Sequence, residues 1–214
     1  MQLCVKHIDE YGLQFVLKGA TDAFANSIRR TMLCDVDALA ISSVEIITNT
    51  TAFPDEILAH RLGMLPLVSS DDDHAQYELH VKSYDGDVFS DGIIGAPRVQ
   101  PGIFLLPMQS DQVLHVNIHA RRGTPIEHAR YGTAVAPAYA IRHDGVDFEE
   151  CMCDTERDTR CAKCGNMTAT AAASRGELVH SFSFETTGIE PAVLLHRSLQ
   201  VLKSNIASLH TALA

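Results

Sequence analysis

No run in this 214-residue chain approaches the roughly 20 consecutive apolar residues that a bilayer-crossing helix requires, so such a span is excluded. The first residues, Met1-Gln-Leu-Cys-Val-Lys-His7, lack the basic, apolar and small-residue order of a secretory signal, and an intracellular chain is expected. Cations are few: 17 Lys and Arg stand against 27 Asp and Glu, a formal charge of −10. Gripping a phosphate backbone takes clustered Lys and Arg, so little or no direct nucleic-acid contact is expected. No Gly-rich phosphate loop occurs, nor any internal repeat, nor a Ser/His/Asp or Cys/His arrangement with local support. Asp85-Gly86-Asp87 lacks the third alternate carboxylate of a magnesium loop, because position 89 is Phe, and reads as a hairpin turn. Asp71–Asp73 reads as a solvated loop. Nothing points to catalysis.

What is present is regular patterning. Gln2–Glu10 and Gly12–Lys18 read as paired strands around a turn, with Leu13, Phe15 and Leu17 alternating. Thr21 suits a helix cap and Asp22 the positive end of the helix dipole, and the helix is expected to end near Asp35. Phe24, Ile28 and Met32 recur every four residues, opposite Arg29 and Arg30. Ala38–Thr51 is β-rich with a bend at Ser42-Ser43. Pro54 and Gly63 bracket a short helix through Leu62. Strands are predicted at Tyr77–Lys82, Gln112–Ala120, Ala134–His143 and Glu177–Thr186. After Pro191, Leu195, Leu199, Leu202, Ile206, Leu209 and Leu213 follow four-three-four-three-four spacing, the seam of a long amphipathic helix.

The cysteines divide. Cys4 and Cys34 stand alone and are expected to be buried apolar side chains. Cys151, Cys153, Cys161 and Cys164 lie in one acidic segment, with the spacing of a tetrahedral thiolate site. Structural zinc is the favoured reading; a redox thiol pair or a metal-free loop stay open. The spacing of a ferredoxin cluster insert is absent. His115 and His119 imitate a helical metal pair, but on a strand they stand about 13 Å apart and read as half-exposed surface residues.

Two blocks carry a resemblance: Asp22-Ala-Phe24-Ala25-Asn26-Ser27-Ile28-Arg29-Arg30-Thr31-Met32, and Asp55-Glu56-Ile57-Leu58-Ala59-His60-Arg61-Leu62-Gly63. Their order resembles the assembly subunit of cellular RNA polymerases: the third-largest subunit of eukaryotic polymerase II, its archaeal D-type counterpart and, more distantly, bacterial alpha (amino-terminal domain). His128-Ala129-Arg130-Tyr131-Gly132-Thr133-Ala134 is similar to a further family segment, with Arg, Tyr and Thr where Lys, Trp and Pro are usual. Ser181-Phe182-Ser183-Phe184-Glu185-Thr186-Thr187-Gly188 before the Leu-rich helix is similar to the family's ending. The cysteine cluster departs from the pattern: in the eukaryotic and some archaeal members it follows soon after His-Arg-Leu-Gly, and here it lies beyond the next motif.

The resemblance implies an α+β fold, with an alpha-like dimerisation subdomain (a sheet plus two helices) and an inserted, mainly β subdomain. Mapped onto this chain, residues 1–50 and 177–214 form the first and 51–176 the second. It implies a non-catalytic scaffold that pairs with a small alpha-like subunit, similar to the eleventh subunit of polymerase II or archaeal subunit L. The dimer then docks the second-largest subunit, joined by small zinc-binding subunits. Phe24, Ile28, Met32, Leu195, Leu199, Leu202, Ile206 and Leu209 are the expected pairing surface. Arg29, Arg30, His60 and Arg61 are the candidates for gripping the second-largest subunit. The compartment follows the source: nucleus if eukaryotic, cytoplasm if archaeal, virion or host cell if viral. The alternatives are a free-standing zinc or thiol-redox protein and a homodimer of bacterial-alpha type.

Overall fold

A computed structural model describes residues 1–68, 70–82, 85–143 and 178–213. Its first strands, β1 (Gln2–Ile8) and β2 (Gly12–Lys18), pair antiparallel around a turn that Asp9 organises. The Asp9 carboxylate accepts from the backbone N–H of Tyr11 at 2.9 Å and of Gly12 at 2.7 Å. Those two donors hold Asp9 below the usual carboxylate range, His7 assisting less. β2 then pairs with β10 (Leu178–Thr186), and β10 with β9 (Ala134–His143), giving a four-stranded antiparallel sheet in the order β1-β2-β10-β9.

Two helices close one face of that sheet. In α1 (Asp22–Cys34) the Thr21 hydroxyl accepts from the Phe24 N–H at 3.3 Å, the cap its sequence predicts. Ala25, Ile28 and Met32 point inward, against Leu13, Phe15, Leu17, Phe182 and Phe184. α2 (Asp55–Gly63) belongs to the other core, and α3 (Pro191–Leu213) supplies Leu194 and Leu195 to this one. Phe15 and Phe182, cross-strand partners in register, stack at 4.7 Å between ring centroids.

The second sheet runs β3-β8-β4-β6, from β3 (Ala38–Asn49), β8 (Val113–Gly123), β4 (His74–Lys82) and β6 (Ile94–Gly95). Alternation along β8 is as its sequence reads: Leu114, Val116, Ile118 and Ala120 are buried, and Val113, His115, Asn117 and His119 half-buried on the other face. Leu58 and Leu62 of α2 pack beneath this sheet with Leu39, Ile41 and Leu79. A two-stranded ribbon of β5 (Gly86–Phe89) and β7 (Phe104–Met108) adds Leu105 and Leu106 to the same core.

The fold class is α+β with few helices, as the resemblance implies. Several particulars differ from the sequence reading. Gly86 and Asp87 open β5 instead of forming a hairpin turn, because their backbone pairs with Met108 and Pro107. The bend at Ser42-Ser43 is a bulge within one continuous strand, with the Ser42 hydroxyl donating to the His119 carbonyl at 3.1 Å. Cys4 and Cys34 are half-buried, not fully enclosed. β3 is hydrogen-bonded into the second sheet and β9 into the first, so divisions at 50/51 and 176/177 would cut across both ladders. The two cores change over near Asp37 and again between β8 and β9.

Candidate partner-docking surface

The chain's own core covers only the first half of α3. Pro191, Leu194, Leu195 and Ser198 are buried, and Leu199 and Leu202 pack half-buried against the core. Every residue from 203 to 213 is exposed. Ile206 is 55% exposed, Leu209 64% and Leu213 87%. Lys203 is the single charged residue of that segment at neutral pH, so covering it desolvates almost no charge. At 1.5 Å per residue the uncovered length projects about 16 Å beyond the sheet's packing. A helix shorter than about 12–15 residues is marginal in water, and burying each large apolar side chain is worth roughly 1.5–3 kcal/mol. The end of α3 is an exposed apolar surface that this chain's described residues leave uncovered.

The other expected pairing residues fall differently. Ile28 (2% exposed), Met32 (1%) and Leu195 (8%) face into this chain's own core, which takes them off the pairing surface. Their four-residue spacing reports one apolar helix face; here the sheet occupies that face. Phe24 is half-buried against the same core and keeps some free surface.

Of the cationic candidates, Arg30, His60 and Arg61 are exposed. Arg29 donates through Nε and Nη2 to Asn26 Oδ1, at 3.2 and 2.8 Å, which fixes its guanidinium along α1. Arg61 is committed within the chain. Its guanidinium lies 5.5 Å from the Phe53 ring centroid and 5.9 Å from that of Phe104, and it donates to the Leu105 carbonyl. It pins α2 to β7 before it can grip anything else.

Three arginines that the sequence left unassigned join the two cores. Arg122 donates to Asp37 Oδ2 at 3.0 Å and to the Ser70 and Asp72 carbonyls at 2.6 and 3.0 Å, with Asp73 Oδ1 at 3.5 Å. Arg130 Nη1 donates to the Ile41 carbonyl at 2.7 Å and the Ser42 carbonyl at 3.1 Å, holding the β3 bulge. Arg197 on α3 reaches Asp71 at 2.9 Å. Asp71–Asp73 is solvent-exposed, as its sequence reads, and it is also tied at its edges by Arg197 and Arg122. Gly188 completes the junction: at φ 72° it lies so close to the Leu67 carbonyl that a Cβ would overlap it. A cleft of about 210 Å³ runs along this junction, with Asp37, Leu39, Leu65, Arg130, Ile189 and Arg197 in its walls. Tyr131 is 1% exposed, and its ring fills the space a side chain at Gly123 would need.

Cys151, Cys153, Cys161 and Cys164 lie outside the described residues. Among the described residues no group of three His, Cys, Asp or Glu is ready to enclose an ion, and no helix is long and apolar enough to cross a membrane.

Known proteins match this chain in sequence. An archaeal DNA-directed RNA polymerase subunit Rpo3, from Natronomonas pharaonis, is 33% identical over 142 residues, covering 61% of this chain and 56% of its own. The Rpo3 of Pyrococcus furiosus is 34% identical over 151 residues, covering 63% and 58% respectively. The DNA-directed RNA polymerase II subunit RPB3 of Schizosaccharomyces pombe is 46% identical over 71 residues, 33% of this chain and 24% of its own. The chain thus spans a little over half the length of the archaeal relatives it matches. A family model described as the RNA polymerase Rpb3/Rpb11 dimerisation domain covers residues 14–206, from β2 into α3, and the chain belongs to that family.

Proposed function

We propose that this chain is a non-catalytic assembly subunit of a multisubunit DNA-directed RNA polymerase, working inside the cell. It forms an alpha-like heterodimer with a small subunit similar to the eleventh subunit of polymerase II or archaeal subunit L. One observation carries the reading: an apolar helix end, 203–213, that this chain leaves bare. Ile206, Leu209 and Leu213 supply the contact, Leu199, Leu202 and Phe24 its margin. The mechanism is positional. The partner covers α3, the arginine-held junction transmits that placement to the second core, and the second-largest polymerase component seats against both.

Arg30 and His60, exposed on different units, are the contacts proposed for the second-largest subunit, with Arg29 and Arg61 in supporting positions. Small zinc-binding subunits join the platform, and direct nucleic-acid contact is slight, consistent with the charge of −10. The two subdomains of this proposal are the two cores, with the insert carried between α1 and β9. Cys151, Cys153, Cys161 and Cys164 offer four soft thiolate donors, a set that suits structural zinc. A bound ion would hold that acidic segment in one shape. The free-standing zinc or redox alternative has no support from the family matches.

Co-expression with the small partner tests the reading. Ile206→Asp combined with Leu209→Asp changes only exposed side chains, so the chain should keep its unfolding midpoint and lose co-purification of the partner. Retention of the partner by the double variant would overturn the assignment of α3, and self-pairing at the same surface would establish a homodimer instead.

A further inference from the structure

The open face of the second sheet carries a side-chain cluster that scaffolding leaves unused. His80 on β4 and His115 on β8 are direct cross-strand partners. Their rings stack at 4.7 Å between centroids, with planes 27° apart. Glu78, two residues before His80 on the same face, places Oε1 3.0 Å from His115 Nε2. The His115 side chain is 27% exposed and that of Glu78 55%, so an ion could enter from solvent and still lose part of its water. Leu79, Leu114 and Val116 lie beneath, each 0% exposed, so the backbone that spaces these donors is firmly packed.

Two imidazoles and one carboxylate have the chemistry of a borderline divalent site; one oxygen donor is too few for magnesium or calcium. Zinc binds imidazole nitrogen and carboxylate oxygen at about 2.0–2.2 Å. Two such donors on a tetrahedral ion lie about 3.4 Å apart, so His115 and Glu78, at 3.0 Å, need to part only slightly. Among the described residues no three donors already enclose an ion, so His80 has to turn from its stacked position to complete the set. We propose that His80, His115 and Glu78 bind a transition-metal ion of the zinc, nickel or copper class. Its remaining positions are open to water or to a donor from a docked subunit. The ion replaces one exposed hydrogen bond with coordinate bonds that tie β4 to β8. His119, opposite Gln76 and about 13 Å from His115 along β8, lies out of reach and serves as the control.

The test is zinc equilibrium dialysis of the full chain and of its His80→Gln, His115→Gln and His119→Gln variants. Any zinc held by the cysteines is common to all four and cancels. One ion per chain should be lost, or bound at least roughly tenfold more weakly, in the first two variants and kept in the third. Cobalt titration should give, for that ion, a spectrum without thiolate charge-transfer bands, absent from the His80→Gln chain. All four proteins should share one denaturant midpoint in chelator, and zinc should raise it further in the wild type and His119→Gln than in the other two. Equal zinc stoichiometry and affinity across the four proteins would overturn the proposal, as would equal loss in His119→Gln.

Discussion

Arg197 of α3 donates to Asp71 at 2.9 Å, and so ties the helix that a partner is proposed to cover to the loop entering β4. Arg122 holds the same loop from the other side. The two grips differ in strength for a physical reason. Asp71 is 96% exposed, so its ion pair is screened and worth at most about 1 kcal/mol. Arg122 is 18% exposed and satisfies two backbone carbonyls as well as Asp37. Arg197→Ala should cost no more than about 1 kcal/mol in urea unfolding, and that cost should vanish in high salt. Arg122→Ala strands partly buried acceptors and should cost about 2–3 kcal/mol, with little salt dependence.

Gly188 and Gly102 form a matched pair for separating backbone strain from collision. Both have positive φ, 72° and 78°, but a Cβ at Gly188 meets the Leu67 carbonyl whereas one at Gly102 meets nothing within 4 Å. Gly102→Ala should cost the roughly 1–2 kcal/mol of the left-handed conformation alone. Gly188→Ala should cost clearly more, because the junction between the two units must open to admit it. Thermal unfolding of the two single variants measures the difference; equal losses would show that the junction yields freely.

Legibility in the sequence follows how local the cause is. Period-two alternation placed His115 and His119 on the outer face of β8, and the Thr21 cap fixed where α1 begins, because both depend on near neighbours. The length of α3 was readable from its leucine spacing. What covers an apolar face was not: Ile28 and Leu209 belong to equally regular patterns, yet one meets a sheet and the other meets water. Nor could Arg122 be read, since it reaches Asp37 across 85 residues of chain. Asp71–Asp73 is as exposed as its composition suggests, but the arginines that tie it lie far along the sequence and could not be read from it. Gly86-Asp87 has turn composition, and only its pairing with β7 makes it a strand.

Tyr77 has a buried hydroxyl without a hydrogen-bond partner among the described residues, and burial, with Asp72 nearby, pushes its pKa up to about 12. The folded protein therefore keeps this proton where the unfolded chain, with an ordinary value of 10.0, gives it up. Stability linked to Tyr77 is intact below pH 10 and falls as pH rises from there toward about 12. Tyr77→Phe removes both the orphaned group and the titration. Its unfolding free energy at neutral pH should equal or exceed wild type by up to about 1 kcal/mol, with a flatter alkaline limb. A clear loss of stability at neutral pH would show that the hydroxyl has a partner.

The last half of α3 offers the most direct dynamic test. Its first half is anchored by Leu194, Leu195 and Ser198, so amides there open only with the core. Residues 203–213 have every side chain exposed, and the hydrogen bonds of those turns rest on helix propensity alone. In the chain by itself their amides should exchange close to the rate of an unfolded peptide, with protection rising abruptly between Leu202 and Leu195. When the partner binds, protection should spread to Leu209 without change in the amides of α1, whose inner face is already filled by Ile28 and Met32. Hydrogen exchange read by mass spectrometry resolves both segments. Protection appearing in α1 instead of α3 would mean that the partner approaches over Phe24, and that the bare end of α3 serves some other contact.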